Sequence, residues 1–227
     1  MIRIHFSDFF EVSPEDIKTY GAYNISLIND LPLFIDPFLL YGSDKDEYQE
    51  LHKSMLKYIA FLKEKSEEGA ISESAISAWY KFPEVKQNWF GYSLVGNSGH
   101  GLGLKFGMSM SKSIVKVFRD IGLEKIVRTS HIEKVCLFST GVGRDNISDF
   151  TTNLIKEYLL SYTEEFAKRH INPIFLRKFK VEKVYFDYKL ERWMPKEFIL
   201  PCYNSDYVVL TPRDILTKDE TTRREHI

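Results

Sequence analysis

Cysteine is scarce in this chain. Only Cys136 and Cys202 occur among 227 residues, far apart, with no CxxC pair and no Cys/His cluster. That scarcity argues against a disulfide scaffold and against structural zinc, and it fits a reducing cytoplasm. Long apolar runs are missing as well. No window approaches the roughly 20 residues of a membrane span, and the opening Met1-Ile-Arg-Ile-His-Phe-Ser-Asp has no apolar core of signal-peptide length, so no membrane partner is expected. An excess of one charge is absent too, since 31 Lys and Arg stand against 32 Asp and Glu for a net charge of −1. No global field therefore draws nucleic acid or an anionic membrane, and any such contact must be local. The sequence also lacks a Gly-x-Ser-x-Gly elbow, an internal repeat, a low-complexity tract and a long linker.

What is present is the material of a packed core: 44% hydrophobic residues, 15% of all residues being aromatic, beside 28% charged ones. One domain over 1–217 followed by a charged, loose tail over 218–227 is the expected organisation. β-Branched and aromatic side chains predict short strands over 2–6, 23–27 and 33–35. From Asp46 the spacing of Tyr48, Leu51, Met55, Tyr58, Ile59 and Leu62 predicts a helix ending near Gly69, and a second is expected over 71–79. Pro83 opens a loop that takes in Trp89 and five glycines between Gly91 and Gly103. Helical spacing returns from Phe106 to Ile121, and 133–138 reads as a compact strand. A glycine-containing loop over 139–149 then leads into the longest helix, with Ser148 as its N-cap and a buried stripe running to Phe166. Alternation over 179–189 and the apolar run 206–210 predict strands near the end. The fold class is α+β or mixed α/β, a mixed sheet flanked by helices.

Four constellations can carry chemistry. Asp145 and Asp149, four residues apart where a strand and loop give way to a helix, can hold a divalent cation such as Mg or Mn, because hard ions take oxygen ligands. The plainer account is that Asp145 caps a turn and Asp149 complements the helix dipole. Asp187 and Lys189 close an apolar strand, and Asp36 ends an earlier one, where it can equally be a plain turn residue. Glycines 99, 101 and 103 run into a helix carrying Lys112 and Lys116, an arrangement whose backbone amides can cradle phosphates. Between Lys168 and Lys196, nine Lys or Arg face three acids and interleave with Phe175, Phe179, Tyr185, Tyr188 and Trp193. That stretch is either a nucleic-acid surface with aromatic platforms or a strand pair with one solvated basic face.

Resemblances attach to two of these. Val184-Tyr-Phe-Asp187-Tyr-Lys189 resembles the (D/E)xK half of PD-(D/E)xK nucleases, which implies a magnesium-binding Asp187 and a water-positioning Lys189. Gly99-His-Gly101-Leu-Gly103-Leu104 resembles the G2 box of the GHKL ATPases, which implies nucleotide phosphates at Gly99, Gly101 and Gly103. The stretches 33–40, 141–153 and 207–219 look like parts of uncharacterised bacterial proteins, a group associated with mobile elements or phage defence. The function expected from all this is a Mg- or Mn-dependent nuclease or other phosphodiester hydrolase. A noncatalytic nucleotide- or protein-binding sensor module is the alternative.

Overall fold

A computed structural model describes residues 4–91, 103–117 and 144–218. The strand expected over 133–138, Cys136, most of the glycine run and nearly all of the charged tail lie outside these described residues.

Two short helices lie between the strands expected in the opening of the chain. Helix α1 spans Phe6–Phe9 and α2 spans Pro14–Tyr20, while 2–6 and 23–27 meet in a single bridge, His5 to Ser26. The reason for α2 is local: Ser13 Oγ accepts from the Glu15 amide, Pro14 holds the first helical position, and Gly21 ends the helix at φ +87°. Strand β1 (Leu33–Ile35) does form, entirely buried, and pairs antiparallel with β5 (Leu216–Lys218) near the other end of the chain. Asp36 is a cap: its carboxylate accepts from the Phe38 amide and starts α3 (Pro37–Tyr41).

Helix α4 (Asp46–Glu67) is the longest of the described residues at 22 residues and buries the expected Tyr48, Met55, Tyr58, Ile59 and Leu62 stripe. Helix α5 (Glu73–Trp79) packs closely on α6 (Leu104–Val117) through Gly107. A Cβ at Gly107 would stand 3.0 Å from Ile76 Cγ2 and 3.1 Å from the Tyr80 carbonyl oxygen, so glycine is what permits this approach.

The long helix expected from Ser148 is two helices, α7 (Arg144–Leu154) and α8 (Lys156–His170). Ser148 lies inside α7 rather than at its cap, and its Oγ accepts from the Ile35 amide of β1 at 2.9 Å. Thr151 and Thr152 donate back to the carbonyls of Ile147 and Ser148, which bends helices and prepares the break at Ile155.

Strands β2 (Leu176–Asp187), β3 (Arg192–Tyr203) and β4 (Asp206–Tyr207) form an antiparallel sheet in that order. The register slips between Val181 and Tyr185, leaving three residues opposite Pro195, which has no amide to offer the ladder. Lys183 in this bulge takes φ +52°. The architecture is α+β, with two small antiparallel sheets in place of one mixed sheet. The larger hydrophobic cluster joins α4, α5, α6, α7 and α8 to the β2–β3 hairpin, and a smaller one gathers the N-terminal helices around Phe166 and Leu210. Among the described residues no helix is long and apolar enough to cross a membrane.

Candidate functional site

Helix α7 presents Asp145 and Asp149 one turn apart on one face, as the i, i+4 spacing dictates. The helix is pinned from outside at two places: Ser148 Oγ holds the Ile35 amide of β1, and Asn153 in its last turn donates to the Pro83 carbonyl at 2.6 Å. The second bond lays the segment after α5 along α7 and sets Glu84 beside Asp149.

Burial drives the Asp149 carboxyl up to about 8, helped by the charges of Asp145 and Glu84. Asp145 is also raised, by burial. The field of the helix N-terminus favours a carboxylate by about 0.3–1 kcal/mol, too little to offset burial beside two other acids. Asp149 therefore keeps its proton through most of the neutral range, while its neighbours supply negative charge around it.

A third and fourth acid stand beside Asp145 at Gly91. Leu31 donates to the Trp89 carbonyl at 2.9 Å and accepts from the Gly91 amide at 2.9 Å, which brings Asp30 to the same place. A Cβ built on Gly91 would stand 3.7 Å from Asp145 Oδ1, 3.8 Å from Asp30 Oδ2 and 4.0 Å from Glu84 Oε1. Gly91 itself has φ +141°, a conformation side chains rarely adopt. Three carboxyl groups from three separate segments thus approach one backbone glycine, and Asp149 stands one helical turn from Asp145 within reach of the Asp145 and Glu84 charges. Among the described residues no group of three or more His, Cys, Asp or Glu is placed to hold a metal ion. Asp30 and Glu84 were missed by sequence reasoning. Each follows or precedes a turn proline, in Asp30-Leu-Pro32 and Pro83-Glu84, and only the tertiary pairing of 31 with 89–91 brings them together.

Asp187 and Lys189 stand elsewhere. Asp187 Oδ1 accepts from the amides of Lys189 and Leu190 at 2.8 and 3.0 Å, so the pair forms the turn between β2 and β3. Those bonds hold the Asp187 carboxyl below its usual range, and neither residue is among the groups that act on Asp149.

In the basic stretch, helix α8 and β3 answer much of the positive charge. Lys168 pairs with Glu164, Arg169 with Glu165, Lys178 with Glu197, Lys180 with Glu182, and Lys196 with Glu157. Such exposed pairs are weak, yet they leave the stretch much less cationic than its sequence reads. Of the glycine run, Gly99 and Gly101 lie outside the described residues. Gly103 immediately precedes α6, and a Cβ there would meet nothing within 4 Å.

A family model described as a domain of unknown function, DUF8370, matches residues 11–223, and the chain belongs to that family. No curated protein and no solved structure matches it.

Proposed function

We propose that this DUF8370 chain is a divalent-cation-dependent phosphodiester hydrolase whose cation site is built by Asp145 and Asp149 of α7 together with Asp30 and Glu84. The observation that carries this reading is the convergence of Asp30, Glu84 and Asp145, from three segments, on Gly91, with Asp149 beside Asp145 and Glu84 raised to about 8. Acids packed this closely repel one another, and a bound cation relieves that repulsion by taking the place of the Asp149 proton. Mg or Mn suits such a cluster, since Mg keeps several of its waters and takes only one or two carboxylates directly.

Such a cation stabilises charge developing on a phosphate and lowers the pKa of a bound water. The chain's own part is to orient the ion. Asp145 and Asp149 are fixed by the Ser148 and Asn153 bonds, and Gly91 leaves room that a side chain would fill. Asp187 and Lys189 have no part in this proposal, because Asp187 Oδ1 is engaged by two turn amides. A cytoplasmic, bacterial setting in phage defence is the context proposed for the activity.

The test is cleavage of labelled single- and double-stranded nucleic acid with and without Mn, for the wild type and Asp149→Asn at matched melting temperature. Loss of Mn-dependent cleavage in the variant supports the reading, and an equally active variant refutes it. The second reading, a noncatalytic binding module, rests on the separation of Lys189 from the carboxylates. Mn binding without turnover on any nucleic acid would favour it.

A further inference from the structure

Between α4, the start of α8 and β2 lies a groove of about 490 Å³ whose walls include six aromatic side chains, Tyr58, Tyr158, Tyr185, Phe186, Tyr188 and Trp193. That volume lies within the range of small-ligand sites, which are largely apolar with a few polar groups to orient the ligand. Tyr58 is locked into the wall, since it donates to the Trp79 carbonyl at 2.7 Å and accepts from Trp193 Nε1 at 3.0 Å. Tyr185 is the exposed member, at 37%.

The charge around the groove selects among occupants. Its one lining acid, Glu157, is paired with Lys196 at 2.8 Å. Lys57 stands at one end with its Nζ 4.2 Å from the centre of the Tyr188 ring, and among the described residues no carboxylate forms an ion pair with it. Lys156 and Lys183 adjoin in sequence the lining residues Ile155, Glu157 and Val184. Lys156 donates to the Glu182 carbonyl at 2.9 Å, which holds it against the β2 bulge where Lys183 sits. Burial and the Lys183 charge lower Lys156 to about 8, and burial with the Lys81 charge lowers Lys183. Lysines thus stand beside an aromatic slot, and an anion with a flat apolar part satisfies both features.

We infer that this groove binds an unpaired nucleobase, with the phosphate attached to it held by Lys57 or by the Lys156 and Lys183 pair. The site deepens the phosphodiester hydrolase reading by naming single-stranded or mononucleotide chemistry as what the chain recognises. Leu154 and Ile155 line the groove at the end of α7 and Asp149 lies five residues before Leu154, so the two sites are about 8 Å apart along the helix axis at a rise of 1.5 Å per residue. They face different sides of that helix, since five residues turn it by about 140° beyond a full revolution at 3.6 residues per turn. A strand reaching both would pass the end of α7, where Lys156 and Lys183 stand.

The test is fluorescence anisotropy of the full chain with a labelled thymidine dodecamer in EDTA. Binding should weaken about tenfold in Tyr185→Ala and in an abasic dodecamer with the same phosphates, the size expected for one lost stacking partner. Tyr185→Phe, which keeps the ring, should bind as wild type, and Lys57→Ala should weaken binding severalfold. Competition by thymidine monophosphate at similar concentration identifies a free nucleotide as the ligand, and competition only by oligomers identifies a strand. No dodecamer binding, equal binding of the abasic strand, or an unchanged Tyr185→Ala overturns the inference. A self-association that Tyr185→Ala abolishes, with no dodecamer bound, would assign the groove to a second copy and overturn it likewise. Because EDTA removes the cation, dodecamer binding is read without the carboxylate centre while Mn-dependent cleavage needs it, so failure of this site and failure of the carboxylate centre give different results.

Discussion

Asn153 donates its side-chain amide to the Pro83 carbonyl at 2.6 Å, and the same amide reaches the Asp149 carbonyl at 2.8 Å. One buried side chain thus holds the segment of Glu84 against that of Asp149, two acids 65 positions apart in the sequence. Asn153→Ala leaves the Pro83 carbonyl without its donor and should lower stability by about 1–3 kcal/mol, the range for a buried polar group left unsatisfied. It should also weaken Mn binding severalfold, as Glu84 drifts from Asp149. Chemical denaturation and a Mn titration check the two effects separately.

The pH dependence follows from Asp149. Its folded pKa of about 8 lies above the unfolded carboxyl value of 3.8, so the folded state holds a proton that the unfolded state releases. Stability contributed by this group is greatest below the unfolded pKa and falls as pH rises through the window up to about 8. Asp149→Asn mimics the protonated form and should flatten that fall. At pH 8.5 the variant should be the more stable protein by about 1.4 kcal/mol or more, one pKa unit's worth. Urea titrations at pH 6 and 8.5 measure it, and equal slopes for the two proteins would contradict the buried-acid account.

Much of this arrangement was legible in the sequence, and its failures have physical reasons. The α4 stripe was plain because seven buried positions repeat at helical spacing over 22 residues. Leu33–Ile35 was read correctly as a strand from three consecutive apolar residues. The opening was misread because apolar content outweighed the capping chemistry of Ser13, Pro14 and Gly21. Ser148 resembled a cap because serine, first-turn acid and apolar stripe follow one another there, yet its hydroxyl serves a strand amide far off in the sequence. Strand β3 was obscured by Pro195 and Pro201, and the bulge opposite Pro195 shows how the sheet accommodates the first. Of the acids, Asp145 and Asp149 were singled out as two carboxylates four residues apart where a loop gives way to a helix, although the helix begins at Arg144 and takes in both. Asp30 and Glu84 join them only through long-range backbone pairing, which no local pattern encodes.

The α5–α6 contact predicts a packing failure. Gly107→Ala would place a methyl 3.1 Å from the Tyr80 carbonyl oxygen, a backbone atom that cannot rotate away. The overpacked interface should cost about 1–3 kcal/mol. A thermal melt unchanged from wild type would mean that α5 and α6 can separate without loss.

The hairpin turn supplies the control for the carboxylate centre. Asp187→Ala removes the acceptor for the Lys189 and Leu190 amides and should lower the melting temperature, most clearly above the usual carboxyl pKa, because its folded pKa is depressed and its contribution is lost as pH falls. Mn affinity should stay at the wild-type value. A Mn site lost with Asp187 would move the cation to the hairpin.

The central claim is that the acids around Gly91 bind a divalent cation. Electron paramagnetic resonance of Mn titrated into the full chain at pH 8.5 counts bound ions directly. The account predicts a site that weakens as pH falls below about 8, where Asp149 regains its proton, and that is lost in both Asp145→Asn and Asp149→Asn while each variant remains folded. Wild-type protein that binds no more Mn than the folded Asp149→Asn variant at pH 8.5 would contradict it.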